Sequence, residues 1–368
     1  MTTLDSAPAR LGFRMPAEWE PHVATWIAWP HNRNDWPGKF APIPWVYSEI
    51  VRYLSRFERV EILVEDRRAQ RHALERLERA GAVIENVGFH RIPTDRVWTR
   101  DTGPTFVVNP SFATELSVAM IDWRFNGWAK YDDHLKDDRL PKRLAKRLGF
   151  ERFVPSVEIS GESRRFVLEG GSIDVNGQGT LLTTEECLLS DVQARNPGLS
   201  REGIESVLAD QLGIRQVIWL GDGIVGDDTH GHVDDLARFV NRNTVVTVVE
   251  TDTHDDNYER LRDNLARLRA ARDQDGSPLE VVTLPMPRPV VFEGTRLPAS
   301  YANFYIANGL VLVPTFNDPA DREALSTLST LFPDRQVVGI HAVDLVWGLG
   351  TIHCMTQQQP APIGTSTH

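Results

Sequence analysis

GDGIVGDDTHGHVDD, residues 221–235, decides how the rest of the chain is read. Its first six residues spell Gly-x-Gly-x-x-Gly directly after an apparent strand from Gln216 to Leu220, the order found in a dinucleotide-binding turn. That fingerprint needs a helix opening at the glycines, so that backbone N–H groups and the helix dipole face a pyrophosphate. Residues 226–235 carry no apolar stripe at helical spacing. A Rossmann fold is therefore disfavoured, and another account is needed for two histidines and four aspartates within ten positions.

Three readings of that cluster are open. Imidazole and carboxylate suit zinc, iron or manganese, and in an extended segment His230, His232 and Asp234 would share one face. His254-Asp255-Asp256 could then complete a metal site. The plain alternative is a polar turn in which Asp and His bond the local backbone. The third is an acid/base site built from His232 and its neighbours.

Outward from this stretch the chain repeats itself. Helix-like apolar spacing occurs at about residues 67–80, 139–148, 200–212, 257–271 and 320–332. After each, a β-branched run reads as a strand, beginning near Val83, Arg152, Gln216, Glu280 and Val337, at a period of roughly 60 to 70 residues. Five equal units that each bury one face against the next can close into a ring. This predicts one α/β domain over residues 15–361, with flexible tails at 1–14 and 362–368, although 368 residues alone would suit two or three domains. The proline-bearing stretch 285–298 falls inside the domain as a long functional loop.

Counting about 16 to 18 residues onward from each strand start reaches Asp101, Glu169, His232 and Cys354, and in the fourth unit the loop Leu297-Pro298-Ala299-Ser300. In a ring, equivalent positions converge near the axis. Asp101 and Trp98 lie in Trp98-Thr-Arg-Asp-Thr-Gly-Pro104, and Glu169 in Leu168-Glu-Gly-Gly171. By themselves these stretches also suit a core tryptophan, a surface Arg-Asp pair and a glycine bulge. Cys187, within Glu186-Cys-Leu-Leu189, reads as a small core residue. Cys354 differs, with glycines before it and Thr356, Gln357 and Gln358 after it. A thiol so placed becomes nucleophilic when a histidine or a bound cation stabilises its thiolate.

Composition narrows the partners. Hydrophobic residues make up 41% and charged residues 25%, as in a globular protein with a substantial core. A net charge of -11 disfavours nucleic acid and favours small cationic ligands. No run approaches a signal sequence or a membrane span, so a cytoplasmic location and no membrane partner are expected. Two cysteines without C-x-x-C spacing support neither a disulfide framework nor a Cys-rich zinc site. Oligomeric state is left open, a homo-oligomer being compatible with the sequence.

Met15-Pro-Ala-Glu-Trp-Glu-Pro-His22, Trp98–Pro104, Leu168–Gly171, Gly231-His-Val-Asp234 and Ile352-His-Cys-Met-Thr-Gln-Gln358 together resemble the agmatine deiminase and bacterial peptidylarginine deiminase family of guanidine-modifying enzymes. The resemblance spans about residues 13–361. It implies a five-bladed α/β propeller, with Cys354 as nucleophile, His232 as general acid/base and Glu169 as its acidic partner. It further implies Asp101 and Asp234 as carboxylates gripping a guanidinium, and Trp98 as its wall. No metal or organic cofactor is implied. The expected reaction turns a guanidinium into a ureido group plus ammonia, with agmatine to N-carbamoylputrescine leading. Peptidyl-arginine, free arginine or another alkylguanidine as substrate is the alternative, as is amidino transfer to an amine or a non-catalytic binding propeller.

The chain departs from the family pattern twice. Gly348-Leu-Gly-Thr351 replaces a usual Gly-Gly-Gly-Asn, and Ala129-Lys-Tyr-Asp-Asp-His134 replaces an aromatic and proline-rich continuation. Both fall where a substrate's tail would be read. In the opening stretch, strand-like alternation would put His232 and Asp234 on one face, joined by a His230 of no assigned chemistry. Asp227, Asp228 and Asp235 would serve the turn and support the site from behind.

Overall fold

Each of the five helices foreseen in the sequence delivers the chain into a strand parallel to the one before it. The computed structural model describes residues 7–112 and 116–362. The first sheet holds β1 (His22–Ala28), β2 (Arg59–Val64) and β3 (Val87–Arg91). The second holds β4 (Thr105–Val108), β5 (Val118–Ile121) and β6 (Glu151–Phe153), followed by a two-stranded ribbon of β7 (Ser156–Ile159) and β8 (Glu162–Arg165). The third contains β9 (Asp174–Val175), β10 (Thr180–Thr184) and β11 (Gln216–Leu220); the fourth β12 (Ala237–Phe239), β13 (Thr244–Val249) and β14 (Glu280–Pro285). A ribbon of β15 (Val291–Phe292) and β16 (Thr295–Arg296) leads to the fifth sheet, β17 (Tyr305–Ala307), β18 (Leu310–Thr315) and β19 (Gln336–His341).

Sheets two to five repeat one plan, an antiparallel hairpin followed by a parallel strand. The parallel step needs a crossover helix, and the helices Leu140–Leu148, Arg201–Leu212, Tyr258–Ala270 and Ala320–Leu331 supply it. Their apolar stripes are buried, as with Ile204 and Leu208 or Leu261 and Leu268. The middle strands read Thr-Val-Val-Thr-Val-Val and Leu-Val-Leu-Val-Pro-Thr and are buried almost throughout, the continuous apolar pattern of strands covered on both faces. The C-terminal strand β20 (Gln357–Pro360) pairs antiparallel with β1, Trp26 opposite Gln357. The last segment thus returns to the first sheet and completes a five-bladed α/β propeller.

Several details differ from the sequence reading. The first repeated strand starts at Val87, not near Val83, because Ile84–Asn86 form a 3-10 turn after the left-handed cap at Gly81. A further helix, Ile43–Leu54, lies outside the five, buries Ile43, Tyr47, Ile50, Val51 and Leu54, and makes β1 parallel to β2. Residues 7–14 do not form a flexible tail. Pro8–Leu11 make a 3-10 turn, Phe13 is buried against Phe112 and Phe153, and Arg14 exchanges backbone hydrogen bonds with Val108. Residues 1–6 and 363–368 lie outside the described residues. The 285–298 segment is partly regular, with Phe292 packed edge-on against Trp347 at 4.5 Å between centroids. Among the described residues no helix is long and apolar enough to cross a membrane.

Candidate active site

The opening stretch is neither a strand nor a helix start. His230 and Gly231 both adopt left-handed backbone, φ 65° and 90°, and Val233–Asp235 form one 3-10 turn. Asp227 organises the bend: Oδ1 accepts from the Thr229 N–H at 2.8 Å, and Oδ2 accepts from the N–H groups of Gly231 and His232 at 2.8 and 3.0 Å. His232 and Asp234 therefore converge through a turn, which corrects the alternation argument. His230 points elsewhere, with Nε2 3.2 Å from Ser190 Oγ and Nδ1 3.7 Å from Glu186. The Gly-x-Gly-x-x-Gly glycines serve close backbone packing, since a Cβ at Gly223 would lie 2.6 Å from Gly231 Cα and one at Gly226 2.5 Å from the Arg296 carbonyl oxygen.

Loops after successive strands bring the remaining side chains together. Asp101 sits in the short helix Thr99–Thr102 beyond β3, Glu169 precedes the 3-10 turn Gly170–Ser172, and Cys354 lies between β19 and β20. Asp101 accepts from the indole N–H of Trp128 at 2.9 Å and from the Gly171 N–H at 2.9 Å. His232 stands between acids, Nδ1 3.9 Å from Asp101 and Nε2 3.6 Å from Glu169. Cys354 Sγ is 3.7 Å from Asp234 Oδ2. Gly171 has room for no side chain: an added Cβ would meet His232 Nδ1 at 2.6 Å, Asp101 Oδ1 at 2.9 Å and Asp234 Oδ2 at 3.1 Å. The glycine lets the backbone approach three functional groups at once.

Other contributors were not found by sequence reasoning. Arg195 binds both oxygens of Glu169 through Nε, at 3.0 and 3.2 Å. His353 bridges Asp234 Oδ2 and Glu18 Oε2 at 2.7 and 2.8 Å. Asn303 donates to Cys354 Sγ at 3.1 Å. None follows a spacing rule, and each becomes visible only through its partner. His353 could have been suspected from its place beside Cys354.

Burial governs the electrostatics. It pushes the Asp101 carboxyl up to about 6, with Asp234 and Glu169 adding to the rise and His232 opposing it. Burial also raises Glu169 and Asp234, but Arg195 and His232 for the first, and His353 and His232 for the second, outweigh it and hold both below the usual carboxylate range. Desolvation alone would depress His232; Asp101, then Cys187 and Glu169, more than offset it and hold the imidazole well above its ordinary value. The Cys354 thiol is pushed far up by burial, then by Asp234, Asp235 and Asp101.

Of these groups Asp101 and Cys354 line a cavity of ≈240 Å³ whose walls also include Trp98, Trp128, Tyr131 and Leu349, and His232, Glu169 and Asp234 lie buried behind them. Trp98 packs on Trp36 at 5.5 Å between centroids while also facing the cavity, so it is both wall and core residue. Asp228 lines the same cavity and pairs with Lys130 and the Tyr131 hydroxyl. Asp235 lies behind the site against Asn303.

The metal set considered from sequence does not assemble, because His254 is exposed on the surface whereas His232 and Asp234 are buried. Among the described residues, Glu169, Cys187 and His232 do place ligand-type atoms within 4.8 Å of one another. Glu169 already neutralises the Arg195 guanidinium there, so a bound cation would compete with that charge for one carboxylate.

Residues 14–360 match the family model described as Porphyromonas-type peptidyl-arginine deiminase. The agmatine deiminase of Ectopseudomonas mendocina (strain ymp) is 38% identical over 387 residues, covering 99% of this chain and 100% of the relative. That of Pseudomonas putida (strain KT2440 among its designations) is 37% identical over 386 residues, covering 99% and 100%. The solved agmatine deiminase of Enterococcus faecalis superposes with a TM-score of 0.87 at 33% identity, covering 99% of this chain and 100% of that one. This chain belongs to the Porphyromonas-type peptidyl-arginine deiminase family.

Proposed function

We propose that this chain is a deiminase that hydrolyses agmatine to N-carbamoylputrescine and ammonia through a covalent intermediate on Cys354. One observation carries the chemistry: a cysteine, a histidine and two carboxylates are neighbours, with Cys354 Sγ 3.7 Å from Asp234 and His232 Nδ1 3.9 Å from Asp101, and Cys354 and Asp101 open onto one cavity. A guanidinium is a planar cation with a fork of N–H donors, and two carboxylates on different edges can grip it bidentately. Agmatine is chosen within that class because relatives matching over their full length bear that name.

Each residue then has a task. Burial, and then Asp234 and Asp101 beside it, favour the Cys354 thiol before substrate binds, and an arriving guanidinium offsets those charges, so substrate binding and thiolate formation are linked. The thiolate adds to the guanidinium carbon, and the C=N electron pair moves onto nitrogen. His232 gives its proton to the departing nitrogen, the C–N bond breaks, and ammonia leaves. The resulting cationic S-amidino intermediate is attacked by water, whose proton passes to the now neutral His232. Collapse breaks the C–S bond, restores the thiolate and forms the ureido carbonyl; the released proton converts ammonia to ammonium. Glu169, ionised and oriented by Arg195, keeps the imidazole aligned and protonated between cycles.

We assign the enzyme to the cytoplasm, where two free thiols, Cys187 and Cys354, suit a reducing compartment. Its partner in this reading is the small cationic guanidino substrate. The deciding assay measures ureido product and ammonia in parallel across agmatine, arginine and arginine peptides, with Cys354→Ala as control. Wild-type turnover of agmatine with none by Cys354→Ala, which should still bind substrate, is expected. Near-normal turnover by that variant would overturn the covalent mechanism, and preference for another guanidine would overturn agmatine alone.

A further inference from the structure

Four blades deliver an ionisable side chain to the buried cluster of Asp101, Glu169, His232 and Cys354, whereas the fourth unit, counted by the same spacing, reaches only the loop Leu297–Ser300. The chain beyond β16 places Asn303 there, wholly buried. Its Oδ1 accepts from the Thr351 hydroxyl at 2.7 Å and from the His353 N–H at 3.0 Å. A backbone N–H can only donate, so the atom that the Thr351 hydroxyl and the His353 N–H meet is the amide oxygen, and the other atom is the amide nitrogen. Nδ2 then has two acceptors, Cys354 Sγ at 3.1 Å and Asp235 Oδ1 at 3.0 Å.

We propose that Asn303 is a further catalytic residue, whose amide N–H stabilises the Cys354 thiolate and fixes the direction of its sulfur. The consequence for turnover rests on the deiminase reading; the interaction with sulfur does not. A hydrogen bond to a charged acceptor is about twice as strong as one to a neutral acceptor, so this N–H favours thiolate over thiol. It matters here because the Asp234 carboxylate stands 3.7 Å from the same sulfur, and among the described residues Asn303 Nδ2 is the hydrogen-bond donor found on Sγ. The same side chain ties Thr351, His353 and Asp235 together, so the nucleophile is held by the segment that follows the fourth sheet although its own loop follows β19 of the fifth.

Asn303→Asp tests this at nearly constant volume, keeping the oxygen that accepts from Thr351 and His353 while replacing the donor with an acceptor. The readout is the pH dependence of Cys354 alkylation by iodoacetamide in substrate-free protein, resolved by peptide mass spectrometry so that Cys187 is counted separately. The alkylation midpoint should rise by about one to two pH units, with kcat for agmatine falling at least about 10-fold and KM little changed. Asn303→Ser, neutral and too short to reach the sulfur, should shift the midpoint in the same direction by less and serves if the Asp variant does not fold. An unchanged midpoint in a folded variant would overturn the proposal. A shifted midpoint in a protein whose wild type turns over no guanidine would keep Asn303's role and remove the deiminase reading instead.

Discussion

Arg195 grips Glu169 with both side chains fully buried, Nε lying 3.0 and 3.2 Å from the two carboxylate oxygens. The protein thus keeps a guanidinium–carboxylate pair of its own against His232, Nε2 of which lies 3.6 Å from Glu169, beside the position proposed for the substrate guanidinium. The two cannot exchange partners, because the remaining Arg195 nitrogens donate to the carbonyls of Gln193 and Thr229.

Removing one partner of this pair leaves an uncompensated buried charge. Arg195→Ala should cost about 3 to 5 kcal/mol of stability and lower kcat sharply, since an unpaired Glu169 no longer orients His232. Arg195→Lys keeps the charge but loses the fork, so it should fall between wild type and Ala in both thermal unfolding and turnover. A Lys variant as unstable as Ala would show that geometry, not charge, holds Glu169.

Gly171→Ala inserts one methyl among His232, Asp101 and Asp234. Overpacking of this kind costs about 1 to 3 kcal/mol, an amount a folded domain survives, but the three groups must move apart. A fall in kcat/KM of at least about 100-fold with an intact circular dichroism spectrum is expected, a change of about 3 kcal/mol in transition-state stabilisation. Retention of near-wild-type kinetics would contradict the crowding at this position.

Asp101 links pH to both binding and stability. Its folded-state pKa of about 6 lies above the ordinary value of 3.8, so between these limits the folded protein binds more protons than the unfolded chain. Stability contributed by the neutral carboxyl is therefore complete below about pH 4 and lost as pH rises through about 6. The amide introduced by Asp101→Asn does not titrate. The difference in unfolding free energy between that variant and wild type, followed through Tm, should grow in favour of the variant over this window, by up to ~3 kcal/mol, on a constant offset from a lost bond to Trp128 or Gly171. Substrate binding should weaken in the variant at every pH, and wild-type kcat/KM should decline below about pH 6. A Tm difference independent of pH would refute the assignment.

Leu349 lines the cavity in left-handed backbone, φ 66° and ψ 23°, a conformation that costs a non-glycine residue roughly 1 to 2 kcal/mol. Strain retained on a cavity wall points to a side chain needed there. Leu349→Gly should fold normally and raise KM for agmatine and butylguanidine about 10-fold, the value of roughly 1.4 kcal/mol of lost apolar contact, while kcat stays within a few-fold. A collapse of kcat at unchanged KM would place Leu349 at the chemistry instead of the tail.

The sequence by itself determined the repeat, because an apolar helical stripe followed by a β-branched run is a local pattern, and five of them at similar spacing imply a ring. It also singled out Asp101, Glu169, His232, Asp234 and Cys354 as candidates, although their local surroundings alone also suited core and turn residues and only the family resemblance gave them a guanidine chemistry. The reason His232 and Asp234 meet was not legible: residues 226–235 bend through three left-handed positions, Gly226, His230 and Gly231, and Asp227 hydrogen bonds, which residue alternation cannot encode. Closure of the ring by β20 on β1, the ordered segment 7–14 and the helix Ile43–Leu54 were equally hidden, because pairings and packing between residues far apart in the chain leave no local signal. Arg195, His353 and Asn303 show the same limit most clearly. An arginine, a histidine or an asparagine gains its role here from one buried partner across the propeller, and only the tertiary structure brings that partner within hydrogen-bond reach.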